Sequence, residues 1–177
     1  MKRVLPLSLL TIFIICPAHG SLQPTANQNA QEHLSHEVRN ELVTIPQLTI
    51  FDHLAFSVDG GTVTLMGYAR NAFLRSVAES RVKGIDGVEE VTNEIEVLPA
   101  SSSDERIRWA VAHAIFNDNR LFRYSMSAVP PIHIIVKSGH VILEGLVSNQ
   151  TDKDTAGIRA RGVPGIFSVQ NNLRVEQ

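Results

Sequence analysis

Two groups of side chains have the types and spacing to do chemistry. His33 and His36 stand three apart in "EHLSHE", with Glu32 and Glu37 beside them, and on a helix such a cluster could in principle hold a metal ion. No second cluster completes the ligand set, and His-x-x-His alone is a weak pattern, so the sequence favours solvated helix residues, with no metal and no cofactor. The second group lies in "DERIRWAVAHAIF". At about 100° per residue, Ile107, Ala110, Val111, Ala114 and Ile115 gather on one stripe, the expected core face. Arg106, Trp109, His113 and Phe116 are left on the other side. Rings beside cations suit a lipid interface, where the rings enter the headgroup region and the cation meets phosphate. The same side chains also suit packing of Trp109 and Phe116 against a neighbouring module, or against the loop that carries Phe122 and Tyr124; both readings stay open. The corresponding earlier helix has His36, Arg39, Asn40 and Val43 there, without large aromatics.

The elements that must position these residues come in two copies. A shift of 78 residues lays Val58–Val97 over Val136–Val175 without a gap. It matches Gly61 with Gly139, Gly67 with Gly145, Asn71 with Asn149, Arg81 with Arg159, Gly84 with Gly162, Gly87 with Gly165, and Asn93 with Asn171. Upstream, the apolar series Leu34, Val38, Leu42 repeats as Ile107, Val111, Ile115 at an offset of 73, so the second copy has five extra residues after its first helix, within "NDNRLFRYSMSAVPPIH".

Each copy reads as helix, strand, strand, helix, strand. The first helix begins near Asn29 with Glu32 three residues on, and its counterpart begins at Ser102 with Glu105, both in capping-box spacing. Strands over 54–58 and 62–69 join at Asp59-Gly60-Gly61, where glycine supplies the positive φ of a tight hairpin. Gly67 and Gly145 share a face with Val63, Leu65 and Val141, Leu143, and are expected to admit a close helix backbone. Asn71 and Asn149 are expected N-caps of the second helix, with Gly84 and Gly162 as its left-handed C-terminal residues. The Gly-x-x-Gly here joins a helix to a strand, whereas a KH nucleic-acid clamp joins two helices, so a cap and a turn explain it better. Asn93 and Asn171 are expected to bond to backbone at a strand rather than to a ligand. For Arg81 and Arg159, a snorkelling stem over apolar surface is favoured above an anion site. The fold class is α+β: two tandem αββαβ modules, each a small three-stranded sheet with two helices packed on one face. The boundaries are 30–98 for the first module, 99–102 for a short linker and 103–177 for the second.

Ahead of the modules, Lys2 and Arg3 precede an apolar run from Val4 to Cys16, and Ala18-His19-Gly20 offers small, spaced residues. Residues 1–20 are therefore expected to be a signal peptide cleaved after Gly20, with 21–29 a flexible leader. The run is too short for a membrane-spanning helix, which needs about 20 apolar residues. Ile15 stands where a lipobox needs a small residue, which argues against lipid anchoring at Cys16. Cys16 is the sole cysteine, so the mature chain forms no disulfide and must be held by packing. Losing Lys2 and Arg3 takes the formal charge from −2 to −4, which disfavours nucleic acid as a partner. No Gly-x-Ser-x-Gly elbow, His-Glu-x-x-His or phosphate-binding glycine loop is present, so no catalytic residue is assigned.

The pattern "VDGGTVTLMGYARN…VKGIDGVEEVTNEIEV", with its partner "VKSGHVILEGLVSN…ARGVPGIFSVQNNLRV", resembles the BON domain, named for bacterial osmotically inducible and nodulation proteins. The resemblance covers nearly all of the mature chain in two copies. The second copy is the more diverged: Gly157 sits inside a helix at a cost of about 1 kcal/mol relative to Ala, and Asp152 and Thr155 replace Leu74 and Val77. What the resemblance implies is a periplasmic or outer-membrane-associated protein linked to envelope stress, binding phospholipid or other envelope components, without established catalytic residues. A non-enzymatic envelope protein that meets an anionic phospholipid surface, or an envelope protein, through its second module is the expectation. The alternative is a soluble periplasmic stress or chaperone-like interaction module that does not bind lipid.

Overall fold

A computed structural model of the chain describes residues 26–127 and 130–176. The expected signal peptide over 1–20, Cys16 included, and residues 21–25 of the expected leader lie outside the described residues. The first module comprises α1 (Ala26–Val43), β1 (His53–Asp59), β2 (Thr62–Ala69), α2 (Ala72–Lys83), β3 (Glu90–Asn93) and β4 (Glu96–Val97). The second comprises α3 (Ser102–Phe116), α4 (Phe122–Ser125), β5 (Ile132–Lys137), β6 (His140–Val147), α5 (Gln150–Arg161), β7 (Ser168–Asn171) and β8 (Arg174–Val175). Both copies have the expected αββαβ order, and α4 belongs to the second copy's additional loop. Among the described residues, no helix is long and apolar enough to cross a membrane.

The sheets are built alike. β1 runs antiparallel to β2 with Val58 opposite Val63, and β5 runs antiparallel to β6 with Val136 opposite Val141. The helix after each hairpin returns the chain so that the last strand lies parallel to the middle one, Val63 against Val91 and Val141 against Val169. That last strand is one path in two pieces, β3 then β4 and β7 then β8, both paired to the same central strand. Asn93 and Asn171 hold the break. Each donates from Nδ2 to a carbonyl of the preceding helix (Arg75 O, 3.1 Å; Lys153 O, 2.7 Å), and each Oδ1 accepts the N–H two residues on. Both therefore bond to backbone as the residue pattern implied.

Both helices of a module cover the same sheet face. Leu34, Val38 and Leu42 of α1 meet Leu74, Ala78 and Val82 of α2 over Val63 and Leu65, while Val111 and Ile115 of α3 meet Ala156 and Ala160 of α5 over Val141 and Leu143. Asn71 and Asn149 are the N-caps, accepting from Leu74 N and Asp152 N at 2.9 Å each.

Several local expectations are corrected. α1 starts at Ala26, so the expected leader is already helical from there. Ser101, not Ser102, caps α3, because its Oγ accepts the N–H of Asp104. Gly84 and Gly162 stay right-handed (φ −84° and −74°): the helix ends in tight turns such as Ile85 N to Val82 O, and only Gly87 and Gly165 need positive φ (91° and 86°). Gly67 and Gly145 do admit a close backbone, but it is the neighbouring strand's: a Cβ would strike His53 O or Pro131 O. In the hairpins Gly60 and Gly139 carry positive φ, whereas Gly61 clears room for the side chain of Glu89. Gly157, costly for a helix, leaves room for Asn171: a Cβ there would lie 2.8 Å from Asn171 Nδ2.

The modules are joined by an insertion. The chain before β1 reaches across, and Phe51 lies buried in the core of the second module with Val111, Leu121 and Ile132. Ile50 O accepts from Ile134 N at 2.7 Å, on the otherwise free edge of β5. Asp52, itself buried, holds the loop: its carboxylate accepts from Thr49 N, Thr49 Oγ1 and Arg70 N. Ile135 points away from its own helices yet is fully buried, and its neighbours on that face, His133 and Lys137, touch His53 and Glu96 of the first module.

The additional loop explains one divergence. Asp152 stands where the first module has buried Leu74, and loop residues satisfy it: Tyr124 OH donates to its Oδ2 at 2.6 Å and Arg123 also donates to it. Tyr124 OH in turn accepts from Ser148 N.

Two outcomes are expected in urea denaturation. Phe51→Ala lowers stability by about 3–5 kcal/mol, the range for emptying a buried phenyl site. Asp152→Leu costs about 1–3 kcal/mol because it strips a partner from buried Tyr124, and adding Tyr124→Phe recovers part of that loss in a double-mutant cycle.

Candidate functional site

The residues singled out on α3 do not all share one environment. The buried stripe of α3 is Asp104, Arg108, Val111, Ala112 and Ile115, turned from the expected stripe so that Ile107 is half-buried and Ala110 exposed. Arg106, Trp109 and His113 lie on the open side, at helical spacing that places them on one face. Phe116 is half-buried against the second core and is not presented with them. Trp109 is 52% exposed, and its ring meets Phe51 edge-on at 4.9 Å. One side of the indole thus rests on the inserted loop and the other faces solvent.

The charges beneath this face are committed. Glu105 accepts from Trp109 Nε1 (3.0 Å) and from Arg108 (2.9 Å), with Arg70 of the first module 3.9 Å away. Burial alone would raise the Glu105 carboxyl, but the Arg108 and Trp109 hydrogen bonds and the Arg70 charge outweigh it and hold its pKa below the ordinary value. Arg108, only 4% exposed, also donates to Val136 O at 2.9 Å. Asp104 accepts the N–H groups of Ser138 and Gly139 at 2.8 Å each, clasping the β5–β6 turn. In the first module Gln31 does a related task by donating to Val58 O at 2.6 Å. Among the described residues, no ion pair or side-chain hydrogen bond engages Arg106, which is left as the uncommitted cation beside Trp109.

Next to this face runs a groove of about 670 Å³, lined among others by Arg106, Ile107, Ala110, Gly165 and Phe167. Phe167 is 78% exposed and sits against Gly139, where the first module sets Glu89 against Gly61. Residue reading missed Phe167, although the alignment held its signal as an acid replaced by an aromatic. It also missed Asp104 and Arg108, whose partners lie on the β5–β6 hairpin far along the chain, and Phe51, which sits in a segment without periodicity. Among the described residues, exposed large apolar side chains concentrate in the second module: Trp109, Phe122, Met126, Leu146, Ile158 and Phe167, against Val43 and Phe73 in the first.

The remaining candidates resolve structurally. Arg81 pairs with Glu41 and Thr44 (3.3 and 3.2 Å), and Arg159 pairs with Asp118 (2.7 Å), so each ties the second helix of its module to the end of the first or just beyond it. His33 and His36 are exposed, with His36 Nδ1 3.1 Å from Asn40 Nδ2. Among the described residues, no group of three His, Cys, Asp or Glu could hold a metal ion.

Comparison with known proteins supports the repeat. The BON domain family model matches residues 31–99 and again 103–177. The chain is 25% identical over 159 residues to Osmotically-inducible protein Y of Escherichia coli (strain K12), covering 89% of this chain and 78% of that protein. It is 27% identical over 150 residues to Outer membrane lipoprotein DolP of Haemophilus influenzae (strain ATCC 51907 / DSM 11121 / KW20 / Rd), covering 82% and 74%. Among solved structures, the C-terminal domain of CdsD, the structural protein of the type III secretion system of Chlamydia trachomatis, matches 81% of this chain and 98% of that chain, at 14% identity and a TM-score of 0.33. With the αββαβ order and hairpin register repeated in both halves and the family model matched by each, the chain belongs to the BON domain family and carries the domain twice.

Proposed function

We propose that this protein is a non-enzymatic binding protein of the bacterial cell envelope, exported by cleavage near Gly20, and that its second module meets an anionic phospholipid surface through the open face of α3. One observation carries the reading: Trp109 remains half exposed beside the uncommitted cation of Arg106 and beside His113, although it already rests on Phe51. An indole at the headgroup level with an adjacent cation is the arrangement that binds an anionic interface without insertion of a span. Two relatives support the setting, one named as osmotically inducible and one as an outer membrane lipoprotein. A protein partner in the envelope is the second reading, and the groove beside Phe167, with its apolar lining, favours it. On that reading the protein suppresses aggregation of clients and ignores lipid.

Co-sedimentation with vesicles containing phosphatidylglycerol, against phosphatidylcholine vesicles, decides between them. Wild type is expected to pellet with the anionic vesicles, and Trp109→Ala to lose most of that binding. Arg106→Glu leaves the Phe51 contact untouched and is expected to weaken binding roughly tenfold or more, since a cation near such a surface contributes about 1 kcal/mol and reversal adds repulsion. Equal pelleting of all three proteins, or none by wild type, removes the lipid reading.

A further inference from the structure

The boundary between the modules contains a pair of histidines that the binding face does not use. His53 opens β1 and His133 lies near the start of β5, each on the sheet face turned away from its own helices. Their rings stand 5.3 Å apart, tilted by 57°. His133 Nδ1 is buried and, among the described residues, has no hydrogen-bond partner.

The surroundings offer the pair little negative charge. Asp52, next in the chain to His53, spends its carboxylate on Thr49 and on the Arg70 N–H. Glu144, opposite His133 on β6, accepts from Asn172 at 2.7 Å. Glu96 of β4 is held by Lys137 at 2.5 Å. Tyr68 lies opposite His53 on β2, and from β8 the cation of Arg174 acts on His53. Protonating both rings would put three positive charges into a half-buried seam. Among the described residues, that seam is also held by the Ile50–Ile134 hydrogen bond, the Phe51 insertion with Arg70 and Trp109 against its ring, the buried Ile135, the Lys137–Glu96 pair and the long Arg70–Glu105 pair.

We propose that His53 and His133 form an acid-operated latch: neutral, their tilted rings pack together and keep the two modules docked, and when both are protonated the modules part and Trp109 loses its contact with Phe51. The titration agrees in sign. Burial first, and then the charge of His53, lowers His133, while the Asp52 and Thr49 backbone and the Asp52 charge oppose this in part. Burial first, and then Arg174, lowers His53. Both docked values lie below the ordinary 6.5. The docked form therefore binds fewer protons than the separated one, so its stabilisation is complete above that value and is lost as the pH falls through the lowered values.

Trp109 is the chain's sole tryptophan and packs on the inserted loop, so its fluorescence reports docking directly. The full mature chain would be titrated from about pH 8 to about pH 5, with emission, small-angle scattering and far-ultraviolet circular dichroism recorded together. The latch predicts a reversible red shift and a larger radius of gyration in the acid limb, with helix and strand signals retained. His53→Gln combined with His133→Gln abolishes that step, and the single His53→Gln variant, which cannot place both charges in the seam, shows no step at the wild-type pH. His113→Gln, one turn from Trp109, leaves the scattering step in place. Scattering that does not change in wild type, a step that survives in the double variant, or dichroism lost together with the scattering change overturns the latch. If the double variant does not fold, an acid step at the wild-type pH in the single variant overturns it equally.

Discussion

Burial of Phe51 in the neighbouring module is the contact on which the rest of the architecture depends. A module of about 70 residues has a high ratio of surface to volume and a small core to offset its chain entropy. Here the second core is completed by a ring supplied from outside it, packed beside Val111, Leu121 and Ile132. The loop that delivers it is held by Asp52, whose buried carboxylate accepts three hydrogen bonds, and is tied to the open edge of β5 by Ile50. One short segment therefore fills a core, covers a strand edge that would otherwise invite pairing with other chains, and gives Trp109 a surface to rest on.

Duplication left each copy with the same frame, and the substitutions between them follow packing rules. Where Leu74 becomes Asp152, the second copy's longer loop brings Tyr124 and Arg123 to the carboxylate, so a buried acid is paired and not stranded. Where Glu79 becomes Gly157, the Asn171 side chain occupies the space a Cβ would fill. In the first copy Glu79 instead accepts from Asn93 Nδ2, and the Lys83 hydrogen bond first, with that of Asn93 second, holds its carboxyl below the ordinary value. The asparagine at the strand break keeps its backbone bonds in both. The frame is thus preserved by different local solutions, and the differences accumulate on the outward surface of the second copy, where Phe167 replaces an acid and Trp109 replaces a histidine.

Repeat order, helix and strand identities and asparagine caps were legible in the residues because they arise from short-range periodicity and from turns with strict backbone demands. Gly84 and Gly162 were misread for an equally local reason: a glycine at a helix end suggests a left-handed cap, but tight turns carried the chain on to Gly87 and Gly165 before reversal was needed. On α3, helical spacing separated Arg106, Trp109 and His113 from Val111 and Ile115 correctly. It missed the rotation that buries Asp104 and Arg108, because their partners are backbone groups of the β5–β6 hairpin, close in space and about thirty positions away in the chain.

The amino-acid sequence by itself determined two αββαβ units, since periodicity, caps and turns act within a few residues and each copy carries its own full set. Only the tertiary structure decided that Phe51 belongs to the other unit's core, that Phe116 turns inward while Trp109 stays half open, and that Asp104 is spent on a hairpin. Those outcomes depend on which surfaces meet when the units dock, and burial is a property of that meeting and not of any one segment.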